Sequence, residues 1–227
     1  MASIGAFNGV NSVLTDVSQI GFRAMNFRQE TSTAVTKTQS GRIIRSSVAT
    51  TLWRATLDFA AITYEQFRQI QGFIALARGS LNDFTIELPN ISNRTATAEI
   101  QDSATGQLEV SAQDIAAQGV AGSTEITGVV ADTILGATDK TILKMGDVIK
   151  FANHDKVYML STDITTSGSV GDILIRFEPG LVTAVTAGTQ IIYNNVPFKM
   201  IFANNLQDYR YNVDGTVNAR IDVQEVI

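Results

Sequence analysis

Leu52-Trp53-Arg54-Ala55-Thr56-Leu57-Asp58-Phe59, followed by Thr63-Tyr64-Glu65-Gln66-Phe67-Arg68 and running on to Gly79, is the stretch whose reading sets the fold class. Its first half has a period of two. Trp53, Ala55, Leu57 and Phe59 share one face, and Arg54, Thr56 and Asp58 share the other, the pattern of a strand with one side in a core. The whole run from Ile43 to Phe59 is strand-like, with β-branched residues throughout. In the second half Phe67, Ile70, Ile74 and Ala77 recur at three- and four-residue spacing with Phe73 on the flank, which predicts a helix with one buried stripe. Thr63 and Gln66 have the spacing of a capping box, and Gly79 after Arg78 suits a left-handed stop. Asp83 to Leu88 alternates again and ends at Pro89. Strand, helix and strand predict an α+β, mainly β fold with one packed helix at about 63–78.

Working outward, residues 17–36 read as one or two strands, Thr31 to Thr38 as an exposed edge or loop, and Ser40-Gly41 as a turn. From Asn90 to Thr124 the chain becomes rich in Ala, Thr, Gln and Ser, with one short strand signal at Leu108-Glu109-Val110. Short apolar segments near 124–130, 141–151, 156–162, 173–177 and 190–193, separated by Gly or Asn turns, predict a small barrel or sandwich. Strand patterns return at Phe198 to Ala203 and at 209–226, with Asp214-Gly215 as a hairpin turn. The simplest organisation is a discontinuous β frame, 1–90 with 196–227, interrupted by an inserted β domain at 91–195. The two ends of the insert then sit on strands that can neighbour one another.

Composition narrows the function. The 227 residues contain no cysteine, which removes disulfides, thiolate metal sites and cysteine nucleophiles. Only 17% of residues are charged against 44% hydrophobic, a low charge for a surface facing water, so part of that surface is expected to meet protein. The net charge of −5 argues against a general nucleic-acid binder, because phosphate contacts need clustered Lys and Arg. It is unevenly placed: 1–90 carry +2, 91–195 carry −6 and 196–227 carry −1. No basic, apolar leader opens the chain and no apolar run reaches membrane-spanning length, which predicts a chain made in the cytoplasm without membrane contact.

Candidate chemistry is sparse. His154 is the only histidine, in Ala152-Asn153-His154-Asp155-Lys156, where Asn and Asp favour a tight turn. Proton transfer between it and Asp155 would find no nucleophile beside it. Asp132, Asp139, Asp147, Asp155 and Asp163 recur at seven or eight residues, a spacing that fits solvated strand ends better than a calcium loop. Phosphate-loop, dinucleotide-turn and nucleophile-elbow motifs do not occur. No enzyme, metal or cofactor is expected. Phe59, Phe67, Phe73 and Phe84 read as core around the helix, and Trp53, alternating with Leu57, as core rather than interface anchor.

Ser40-Gly41-Arg42, the Trp53 to Leu57 strand, the helix with Gln66-Phe67 and Phe73-Ile74-Ala75, and Phe84 before Leu88-Pro89 resemble tail and baseplate structural proteins of tailed bacteriophages, of the tail-tube-like or distal-tail and hub type. Leu143-Lys144-Met145-Gly146-Asp147-Val148-Ile149, with Val157-Tyr158, Asp163 and Pro179-Gly180-Leu181, is similar to β-barrel modules inserted into phage structural proteins. The resemblance implies a tube-like sandwich or barrel frame with an inserted small barrel, and a virion component in a homo-oligomeric ring or among other tail proteins. Arg42, Arg45 and Arg54 lie on or beside the segment expected at the subunit contact, where arginine can pair with a neighbour's carboxylates. A second class remains open: a glycan-binding or hydrolytic tail accessory using Trp53, Tyr158, Tyr193, Tyr209 and the acids of the insert.

Overall fold

In the computed structural model β6 (Leu52–Thr63) runs directly into α1 (Tyr64–Ala77), the two halves of the stretch that sets the fold class. The structure describes residues 6–8, 12–13, 23–31, 33–47, 51–88, 90–96, 108–110, 119–130, 140–166, 172–205 and 207–227. The protein is mainly β with one helix among these residues, an α+β fold. It divides into two compact units, residues 1–85 with 199–226 and residues 86–198.

Unit 1 is built on one sheet, antiparallel from β16 through β18 and β6 to β3. Its strands are β1 (Ala6–Asn8), β2 (Ser12–Val13), β3 (Ala24–Glu30), β6, β7 (Phe84–Glu87), β16 (Phe198–Phe202), β17 (Tyr209–Tyr211) and β18 (Thr216–Glu225). They lie in the order β2-β1-β7-β16-β18-β6-β3, and β17 also pairs with β18. The chain leaves this sheet along β7 and re-enters along β16, its immediate neighbour. The long ladder between β18 and β6 sets Ile221 opposite Leu57 and Val223 opposite Ala55, so the buried faces of both strands coincide. Arg220, Asp222 and Gln224 fall on the outer face. Asp214-Gly215 makes the turn from β17 to β18, with Gly215 at φ +81°, and the Asp214 carboxylate accepts from the Thr216 amide and hydroxyl. Those two hydrogen bonds hold this carboxyl below its ordinary pKa.

α1 begins with the full capping box, since the Thr63 hydroxyl accepts from the Gln66 amide and the Gln66 side chain accepts from the Thr63 amide. It buries Phe67, Ile70, Phe73, Ile74 and Ala77, with Phe73 at one edge of the stripe and buried with the rest. The left-handed turn starts one residue before the glycine, at Arg78 (φ 50°), and continues through Gly79 (φ +67°). A Cβ on Gly79 would come within 2.5 Å of Asn205 Oδ1, which accepts from the Ser80 amide and hydroxyl. Phe73 meets Phe84 edge-on at 5.0 Å and Phe202 at 6.0 Å, a closed aromatic cluster under the sheet. Each such fully buried phenyl contributes roughly 1.5–3 kcal/mol.

Unit 2 is a closed six-stranded antiparallel barrel. Its strands are β8 (Leu108–Val110), β9 (Glu125–Val130), β11 (Val148–Phe151), β12 (Val157–Leu160), β14 (Asp172–Glu178) and β15 (Gln190–Ile192). Their order is β11-β12-β14-β9-β8-β15, and the pairing of β11 with β15 closes the ring. Beside it lies the pair β10 (Lys140–Leu143) and β13 (Ile164–Thr166). Leu108, Ile126, Ile142, Phe151, Tyr158, Ile175, Phe177 and Leu181 are among the residues filling one apolar core. Closure leaves no free sheet edge in the barrel itself.

The barrel corrects two expectations. The run 141–151 is two strands separated by a turn at Lys144 to Asp147, not one. Asp147 is not solvated: only 3% exposed, its carboxylate accepts from the Thr95 amide (2.9 Å), the Thr95 hydroxyl (2.6 Å) and the Lys144 amide (2.8 Å). Asp155 pairs with Lys150 at 2.9 Å and Asp163 accepts from the Met145 amide. Asp132 and Asp139 lie outside the described residues.

Candidate functional site

Two features of unit 1 are left without cover among the described residues. The first is β3, the last strand of the sheet, whose inner side pairs with β6 over Ala24 to Glu30 while no described strand pairs with its outer side. Met25 and Phe27 point toward the core yet are only half-buried, and Phe27 stacks on Trp53 at 5.2 Å and 17°. A strand with one open edge above a half-covered apolar layer is a template for another strand.

The second feature continues the first. β4 (Thr33–Lys37) and β5 (Ile43–Ser47) form a hairpin between β3 and β6, joined to that ladder by a 3.2 Å contact between the Thr31 and Thr51 hydroxyls. Its tip is stapled by Thr38. The Thr38 amide donates to the Arg42 carbonyl (2.8 Å), the Arg42 amide donates to the Thr38 hydroxyl (3.0 Å), and the Gly41 amide donates to the Thr38 carbonyl (2.9 Å). Gly41 supplies the positive φ of +83° that this turn needs.

Register assigns the hairpin two faces. Thr33, Val35, Lys37, Ile43 and Arg45 share one; Ala34, Thr36, Ile44 and Ser46 share the other. Val35 is 63% exposed, Ile43 61% and Ile44 52%. The first face is therefore apolar and basic, the second small, neutral and apolar. A two-stranded ribbon is marginal in water unless something covers a face of it, and none of the described residues does.

The three arginines singled out in the sequence separate here. Arg42 and Arg45 lie on the hairpin, exposed. Arg54 is on the outer face of β6 and forms an ion pair with Glu30 of β3. The sequence reading missed this apolar surface, because Val35 lies in the polar run 31–38, which reads as an exposed edge or loop, while Ile43 and Ile44 open one strand-like run that reaches Phe59; in the structure they belong to a separate strand, β5, paired with β4.

Elsewhere in unit 1 a concavity of about 790 Å³ opens on the outer sheet face, lined in part by Arg23, Arg210 and Arg220 and by Asp58, Asp208 and Asp222. Cations and carboxylates alternate in it, so it favours neither an anion nor a cation. Among the described residues no group of three or more His, Asp or Glu is placed to hold a metal ion.

The residues considered for a glycan surface do not converge. Trp53 is 1% exposed and Tyr158 is fully buried, and both are core. Tyr209 packs edge-on against Phe67 at 4.9 Å, and Tyr193 lies 5.4 Å beneath the Arg94 guanidinium in unit 2. His154 faces Asn153 and Tyr158, each at 2.7 Å, while Asp155 turns to Lys150. No protein-family model matches the chain, and no curated protein matches it.

Proposed function

We propose that this chain is a structural subunit that assembles into a closed ring through its open sheet edge and projecting hairpin, as a tail or baseplate component of a tailed-phage virion. The observation that carries the assembly reading is the β4–β5 hairpin: its tip is fixed by hydrogen bonds within the chain, yet its apolar residues face outward. The placement in a phage tail rests on the sequence resemblance. Preorganised, exposed apolar surface lowers the entropic cost of association, which suits a docking element. Two different patches meeting head to tail generate a ring when the rotation closes.

The test is the mass of the purified full chain in solution, with negative-stain images of the particles. The wild-type chain is expected to form a closed oligomer. Burying Val35 and Ile43 contributes roughly 1.5–3 kcal/mol each, so replacing both with Glu should weaken association by about a hundredfold or more. Arg42→Glu with Arg45→Glu should slow association and flatten or invert its salt dependence, without lowering the melting temperature. A wild-type chain that stays monomeric at high concentration and is absent from purified virions would remove the proposal.

A further inference from the structure

Exposed apolar side chains stand at both ends of β6. At its Leu52 end the β4–β5 hairpin is rooted by the Thr31 and Thr51 hydroxyls; at its Thr63 end β6 meets the start of α1 and the β17–β18 turn, because Thr216 pairs with Thr63. The Thr63 end presents Tyr64 (51% exposed), Tyr211 (52%) and Val213, which is fully exposed. The Tyr64 and Tyr211 rings meet at 6.0 Å, and Tyr211 stands edge-on to buried Phe67 at 5.8 Å, so the two tyrosines are an outcrop of the core. Val213 sits at a turn, where small and polar residues are usual. That turn is closed without the valine: the Asn212 amide donates to the Thr216 carbonyl and the Asn212 side-chain amide to the Thr216 hydroxyl, each at 2.9 Å.

We propose that the β4–β5 hairpin of one subunit docks on the Tyr64, Tyr211 and Val213 end of a second copy of this chain. The inference rests on the assembly reading above and supplies the acceptor for its hairpin. Charge complementarity selects this acceptor. Residues 33–47 carry Lys37, Arg42 and Arg45 and no acid, whereas the Thr63 end carries Glu65 and Asp214, both exposed. Arg68 is the first cation of α1, a helical turn beyond Tyr64, and Arg210 lies on the other face of the sheet, in the concavity. The remaining exposed apolar side chains of unit 1 suit the hairpin less: Leu76 and Leu81 flank exposed Arg78, which would repel it. The concavity has carboxylates but no exposed apolar side chain to cover Val35 and Ile43. Distance makes the contact intermolecular. The 12 residues of β6 span about 35 Å, while Val35 is four residues from the root at Thr31, a reach of about 13 Å. No chain can seat its own hairpin, and the contact runs head to tail.

The test is sedimentation velocity of full-length variants at a concentration where the wild-type chain is assembled. Val35→Glu with Ile43→Glu disables the hairpin, and Tyr64→Ser with Val213→Asn disables the acceptor at two exposed positions. Each pair should weaken assembly about tenfold or more. Mixed in equal amounts, the two should form heterodimers that grow no further, because the mixture retains one intact hairpin and one intact acceptor. Val213→Asn alone exchanges a fully exposed side chain for a favoured turn residue, so it leaves the fold intact and should give part of the same loss. Glu65→Lys should also weaken assembly, with the larger loss at low salt. An acceptor variant that assembles like the wild-type chain, or a mixture that stays monomeric, would overturn this assignment; with the hairpin variant still defective, the assembly reading would stand. A monomeric wild-type chain would remove both.

Discussion

Phe73→Ala should destabilise unit 1 by about 3–5 kcal/mol, the range for removing a fully buried phenyl whose space cannot collapse. Phe73 is 1% exposed and touches Phe84 from β7 and Phe202 from β16, so truncation leaves a void bounded by a helix and two strands. The sheet is held in register by its ladders, so these walls cannot close on the gap. Leu76, three residues along on the same helix, is 62% exposed, and Leu76→Ala should change stability by less than about 0.5 kcal/mol. Trp53, the only tryptophan, lies in the same unit, so its fluorescence during denaturant unfolding reports both variants. Equal losses from the two substitutions would contradict the orientation of α1 described above.

That contrast shows what could be read from sequence and why. β6 and α1 are encoded locally: a period of two gives way to a period of 3.6 at a Thr63 capping box, and each signal needs only its near neighbours. The Asp214-Gly215 turn is legible for the same reason. The barrel was legible as a class, from short strands and Gly turns, but not strand by strand. β13 is three residues long, too short for a pattern to show. β10 and β11 looked like one run because apolar residues flank the turn closely on both sides, although Gly146 at φ +91° and the Lys144–Asp147 hydrogen bonds make that turn locally and Thr95 only reinforces it.

The proposed assembly surface was legible only in its charges. Arg42 and Arg45 stand out in any reading, but the apolar half of the same hairpin does not, since Val35 and Ile43 become one patch only once Lys37 is seen opposite Ile43 and Arg45 opposite Val35. Arg54 shows the converse error open to a sequence reading. Its position on an outer strand face was clear, but its pairing with Glu30 depends on β3 lying beside β6. A paired guanidinium is a poorer anchor for a partner's carboxylate than the exposed arginines of the hairpin, because recruiting it first breaks a bond within the chain.

Asp147→Ala should be as damaging to unit 2 as Phe73→Ala is to unit 1, although it removes no apolar surface. A hydrogen bond to a buried charged group is worth about 1.5–3 kcal/mol, and Asp147 accepts three. Truncation leaves the Thr95 and Lys144 amides facing a space that no side chain fills, and some of that loss is recovered by water entering, so the net cost should be about 3–5 kcal/mol. The geometry also predicts where the damage falls. Asp147 ties Thr95 to the β10–β11 turn, and its own carbonyl accepts from the Leu160 amide of β12 at 2.8 Å. Amides at the turn end of β11 and β12 should therefore lose exchange protection before those of the β9–β14 ladder, which has no contact with this carboxylate. Asp147→Asn retains one acceptor oxygen and should fall between the two. Were Asp147→Ala to melt like the wild-type chain, the carboxylate would be a solvated turn residue after all, as its spacing in the sequence first suggested.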